Sequence, residues 1–189
     1  MNSRSILVLC LGNPGRSYEK TRHNAGFFVA DYLEDRLGVR FRRRLFSRYS
    51  VARYDCLILV KPLTYMNRSG DVIEPVCARL GIEDYTLVVV FDQMDLPPGS
   101  IRLKRGGSDG GHRGLRSIFQ HAGTVDVWKL AVGVGRPSPG ESVVDHVLSV
   151  PDESSRALIE TAVAAAAHTI TALCTKRPEE LMNEVNRRS

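Results

Sequence analysis

The run Ile6-Leu7-Val8-Leu9-Cys10-Leu11, closed at once by Gly12-Asn13-Pro14-Gly15, decides how the chain folds. Six apolar residues without alternation describe a strand covered on both faces, and such strands belong to parallel sheets with helices above and below. The turn runs on through Thr21-Arg22-His23-Asn24 into a second apolar stretch. Asn24 is a candidate N-cap for a helix to about Leu37. Phe27, Phe28, Ala30, Tyr32 and Leu33 would form its inner face, and Gly38 would stop it. A strand, a turn and a returning helix predict an α/β fold from the first forty residues.

The rest of the chain repeats the alternation. A hairpin is expected over Phe46 to Ala52 and Cys56 to Val60, turning at Tyr54-Asp55. A helix follows from about Ser69 to Leu80, ended by Gly81. Leu87 to Phe91 reads as a second buried strand, Ile101 to Lys104 as a short one, and Trp128 to Val134 as another, with a helix at Gly114 to Ala122 between them. An Ala-rich helix from Asp152 to Cys174 and a short one from Pro178 to Asn186 complete the pattern. No repeat or linker interrupts it. The expectation is one domain over residues 1–189, with a twisted, mixed, largely parallel sheet flanked by helices.

Composition agrees: 189 residues, 43% hydrophobic and 25% charged, are the proportions of a soluble domain able to bury a core. The longest apolar tracts, Leu87 to Phe91 and Thr161 to Leu173, are too short to cross a bilayer. The opening stretch to Gly12 carries too short an apolar run for a secretory leader, so a cytoplasmic protein is expected. Cys10, Cys56, Cys77 and Cys174 show no C-x-x-C spacing and read as reduced, mostly buried thiols rather than metal ligands. The net charge of +5 gathers in two places, Arg40 to Arg48 and Arg102-Leu103-Lys104-Arg105 with Arg113 and Arg116. Clustered cations of this kind make a nucleic-acid partner plausible.

In open α/β sheets ligands collect beyond the carboxyl ends of the strands. Those ends carry Asn13 and His23, then Lys61 through Asn67, then Asp92 to Gly99, then the glycine-rich stretch Gly106 to Gly114 with His112. Singly, each has an ordinary explanation. Asn13 is a turn residue, His23 lies near a helix start, Asn67 is able to begin a helix, and His112 is either a loop anchor or a ligand. Asp92 is harder to dismiss, because a carboxylate at the end of a buried strand needs a partner. The glycine-rich loop lacks both nucleotide-binding patterns. Together, two asparagines, a histidine and an aspartate at one sheet edge describe a site.

Five stretches in one order, Gly12-Asn13-Pro14-Gly15, Thr21 to Gly26, Lys61 to Gly70, Asp95 to Gly99 and Gly110-Gly111-His112, resemble bacterial peptidyl-tRNA hydrolases over essentially the whole chain. The resemblance implies an esterase that frees tRNA from its peptide, is cytoplasmic and monomeric, and uses no metal or cofactor. It assigns His23 as catalytic base and Asp92 as its orienting partner. Asn13, Tyr18, Tyr65, Asn67 and Arg113 would bind substrate, and Lys104, with Arg102 and Arg105, would meet tRNA phosphates. No G-x-S-x-G elbow is present, which agrees with attack by water.

Two positions depart from the family. Arg113 stands where it has an asparagine, and a guanidinium donates hydrogen bonds but accepts none. The arginine that joins the lysine around the tRNA 5′ phosphate falls near Ala131, leaving Lys129 or Arg136 to replace it. The alternative reading is an RNA-binding protein of the same fold that does not hydrolyse, like an organellar splicing-factor relative. A third is a small-molecule esterase.

Overall fold

The computed structural model describes residues 5–123 and 126–187. Among the described residues, seven strands form one sheet in the order β2-β3-β4-β1-β5-β7-β6. The apolar runs take the middle, as their lack of alternation requires. β1 (Ser5–Cys10) lies between β4 (Leu57–Pro62) and β5 (Tyr85–Gln93), parallel to both, and β5 pairs in parallel with β7 (Val127–Gly133). The flanking strands reverse: β3 (Tyr49–Tyr54) against β4, β2 (Arg42–Arg43) against β3, and β6 (Ile101–Arg105) against β7. The sheet is therefore mixed, with a parallel centre.

One face packs on α1 (Ala25–Leu37), α5 (Glu153–Ala172) and α6 (Pro178–Asn186) through Val8, Leu33, Val88, Leu130 and Ile170. The other packs on α2 (Ile73–Leu80) and α3 (Arg113–Ala122) through Leu7, Leu9, Val76, Val89 and Ile118. Each residue removed from water there contributes about 1.5–3 kcal/mol. The edge strand β6 is covered by α6: the Asn186 amide donates to the Leu103 carbonyl and accepts from its N–H, at 2.9 and 3.1 Å. No described helix is long and apolar enough to cross a membrane.

The sequence expectations need correction at several points. Asn24 makes no side-chain cap for α1, and on that helix Val29 is buried whereas Tyr32 is exposed. The expected helix from Ser69 is a 3₁₀ segment, Met66–Val72, kinked at Arg68 and becoming α-helical only at Ile73. Close packing is the cause: a Cβ on Gly70 would lie 2.2 Å from the Ser117 carbonyl oxygen. The hairpin is shorter than expected on its first strand and turns at Asp55-Cys56, with Asp55 at φ 49°. Two elements were unanticipated, β2 inside the arginine cluster and α4 (Val143–Leu148), which Ser142 caps by accepting from the Asp145 N–H. Of the four cysteines only Cys10 is buried.

Candidate active site

Because β1, β4, β5 and β7 run the same way, their carboxyl ends share one edge, and the residues that follow them meet there. Helix α1 is drawn tightly onto that edge at Gly26, where a Cβ would approach the Leu11 backbone to 2.4 Å and the Val90 carbonyl to 2.6 Å. Only glycine allows this approach, and it sets the preceding 3₁₀ turn, Arg22–Asn24, above the ends of β1 and β5. His23 is delivered to the end of β5 in this way.

Asp92, at 3% exposure, is the hub. Its Oδ1 accepts from two imidazoles, His23 Nδ1 at 2.8 Å and His112 Nε2 at 3.0 Å. The tautomers follow from the remaining contacts. His112 caps α3, and its Nδ1 accepts the N–H groups of Gly114 and Leu115 at 3.1 and 3.2 Å. An acceptor at Nδ1 puts the proton on Nε2, facing Asp92. His23 donates its Nδ1–H to the same oxygen, so the lone pair is left on Nε2. Burial works to raise the Asp92 pKa, but His112 and His23 outweigh it and hold the carboxyl well below the usual carboxylate range. The carboxylate is thus ionised at any working pH.

His23, Asp92 and His112 place three potential ligand atoms within 4.8 Å of one another. With His112 Nε2 protonated, the arrangement suits hydrogen bonding between rings and carboxylate rather than coordination of a cation.

Asn13 is fixed by a residue whose role the sequence did not reveal. The Asn24 side chain clasps its peptide, Oδ1 accepting from the Asn13 N–H at 2.8 Å and Nδ2 donating to the Asn13 carbonyl at 3.0 Å. The Asn13 Oδ1 in turn accepts the Met66 N–H at 2.8 Å. The asparagine's acceptor is therefore occupied, and its NH₂ remains as a donor. Neighbouring residues 23 and 24 thus supply a titratable ring and the clamp that holds Asn13 beside it.

A cleft of about 560 Å³ opens over this cluster. Asn13, His23, Asp92, Tyr65, Asn67 and Arg113 all line it, the last three exposed at its rim. Tyr18 does not reach it; its carbonyl holds the Thr21 hydroxyl in the loop leading to His23. Val143, Val144, Val147 and Leu148 of α4 make an apolar wall that sequence reasoning missed. The cap at Ser142 with Asp145 three residues on, and valines and leucine one turn apart, was its only sequence signal.

Gln93 and Gly110 pass from this cleft into a second groove holding Arg102, Lys104 and Lys129. In register, Lys104 faces Lys129 and Arg102 faces Ala131 across β6 and β7, so the three cations share one face of the sheet. Burial lowers the Lys129 pKa, as does Lys104 beside it, with Asp109 opposing. Arg105, the next residue along, lies over Trp128 on the other face and pairs with Asp126. It stands apart from the other cations, as the two-residue period of a strand requires. Arg136 is exposed and tied to Asp95.

The peptidyl-tRNA hydrolase family model matches residues 7–189. A relative from Moorella thermoacetica named peptidyl-tRNA hydrolase is 45% identical over 165 residues, 86% of this chain and 87% of its own. Another of that name, from Shouchella clausii, is 41% identical over 95% of this chain and 99% of its own. The crystal structure of peptidyl-tRNA hydrolase from Acinetobacter baumannii superposes with a TM-score of 0.85 at 33% identity, covering 96% of this chain and 94% of that one. With the match running through every strand whose end contributes to the cleft, the chain belongs to the peptidyl-tRNA hydrolase family.

Proposed function

We propose that the chain releases tRNA from peptidyl-tRNA by attack of a water molecule that His23 deprotonates. The observation that carries the reading is the tautomer of His23: Nδ1 donates to a buried carboxylate at 2.8 Å, which leaves Nε2 as the basic nitrogen of a ring that lines the cleft. A proton moves from water to Nε2 as the water oxygen bonds to the ester carbonyl carbon. Asp92 stabilises the imidazolium that results. The Asn13 NH₂, its own oxygen being engaged by Met66, donates to the carbonyl oxygen as negative charge develops there. The imidazolium then returns the proton to the departing ribose oxygen, leaving free tRNA and a peptide carboxylic acid that gives its remaining proton to solvent.

Asn67 and Arg113 at the rim meet the peptide, and the α4 wall takes its apolar side chains. Arg102, Lys104 and Lys129 receive phosphates of the acceptor stem, Arg102 compensating for Ala131 from across the strand pair. The chain acts as a monomeric single domain in the cytoplasm. The non-hydrolysing RNA binder finds no support beside this set of groups and relatives. Purified protein mixed with an N-blocked aminoacyl-tRNA should release the blocked amino acid and tRNA. Intact ester after prolonged incubation, with tRNA bound, would return the reading to an RNA binder. Equal cleavage of simple esters without dependence on tRNA would make it a general esterase.

A further inference from the structure

Two of the four thiols are brought together by the fold although 118 residues separate them. Cys56 sits in the turn between β3 and β4, its carbonyl accepting the Ile6 N–H at 2.9 Å. Cys174 lies in the turn that leaves α5, its N–H bonded to the Thr171 carbonyl. Their sulfurs are 2.7 Å apart, against about 2.05 Å in a disulfide, so only a short approach of the two sulfurs separates the thiols from bonding distance. Both side chains pack on the same core face and both are partly exposed. Cys56 also lines an open cleft of about 550 Å³ with Arg53 and Asp55, wide enough to admit a small oxidant. Cys10, by contrast, is buried, and Cys77 neighbours Tyr85 rather than another thiol.

We propose that Cys56 and Cys174 are a modification site: low-molecular-weight disulfides such as oxidised glutathione convert the pair to an intramolecular disulfide that staples the end of α5 to the β3–β4 turn. Burial, and then the hydrogen bond to Cys174, push the Cys56 thiol up to about 12. One thiol of the pair gives its proton to solvent and attacks a sulfur of the oxidant. It forms a mixed disulfide and expels one molecule of reduced thiol. The other gives its proton to solvent and attacks the protein sulfur of that mixed disulfide, expelling the second. The protein loses two hydrogens and two electrons, and the oxidant gains both.

The staple forms at the amino ends of the parallel strands, whereas His23 and Asp92 lie at their carboxyl ends. Oxidation should accordingly change stability and leave catalysis alone. It would also hold both sulfurs short of irreversible over-oxidation.

The test is to expose the reduced, folded protein to oxidised glutathione. The four titratable thiols should fall to two, and a proteolytic map should contain one peptide linking Cys56 to Cys174. The melting temperature should rise by several degrees, on the order of 10 °C at most for so long a loop. Activity should stay within about twofold, and dithiothreitol should reverse every change. Cys56→Ser and Cys174→Ser should each abolish the link and the melting shift, whereas Cys77→Ser should keep both. Persistent glutathione adducts without the link, linkage of a different pair, or four unreacted thiols would each overturn the proposal.

Discussion

Replacing Asn24 with alanine tests how this site is held, because the side chain acts on backbone rather than substrate. The mutation removes two hydrogen bonds, at 2.8 and 3.0 Å, from a residue 2% exposed. It leaves the Asn13 N–H and carbonyl unpaired in a buried turn, each at about 1–3 kcal/mol. The expected loss is about 2–5 kcal/mol, which in a chain of this size lowers the melting temperature on the order of 10 °C. Catalysis should suffer as well. In the proposed mechanism Asn13 carries the donor to the carbonyl oxygen, and a displacement near 1 Å is enough for about 10²-fold. We expect kcat/KM to fall about 10- to 100-fold at a temperature where the variant is fully folded, with tRNA affinity retained. Asn24→Asp keeps the acceptor for the Asn13 N–H but sets a carboxylate oxygen against the Asn13 carbonyl, and should be no better. Scanning calorimetry and steady-state hydrolysis settle the matter. An alanine variant that melts within about 2 °C of the parent and turns over normally would show that the clasp does not set the loop.

The cationic groove is tested by salt. Affinity for tRNA should fall with ionic strength on a log–log slope of roughly −0.9 per neutralised phosphate, and Lys104→Ala and Lys129→Ala should each flatten it by about one such increment, whereas Arg105→Ala, on the opposite face, should not. Equal slopes in all three variants would remove the groove from the RNA interface. At the cleft rim, Arg113→Asn should shift transition-state binding by about 1 kcal/mol and Arg113→Ala by more, read from kcat/KM. Parent-like values in both would place the guanidinium in solvent.

The central strands were legible because Ile6 to Leu11 and Leu87 to Phe91 are apolar without alternation, a pattern that only burial on both faces produces. The convergence of Asn13, His23, Asn67 and Asp92 followed from parallel strands ending on one edge. Asn24 was misread because a residue before a helix has a local explanation, capping, and its actual partner became visible only when Asn13 was packed against it. His112 stayed ambiguous for the same reason, being both the cap of α3 and a donor to Asp92. The 3₁₀ segment at Met66–Val72 was missed because contact with Ser117, 47 residues away, dictates it. The proximity of Cys56 and Cys174 has no local signature at all. The separation of Arg105 from Lys104, by contrast, was available in the alternation of β6.

The most direct measurement is single-turnover hydrolysis of peptidyl-tRNA by His23→Ala, with tRNA affinity measured in parallel. If His23 is the base that takes the water proton, the rate should fall about 10²–10⁴-fold with affinity within about twofold of the parent. Asp92→Asn, which leaves the ring in place but weakens its orientation, should lose less. A His23→Ala rate close to the parent's, with affinity intact, would contradict the account, because the proton would then be leaving water by another route.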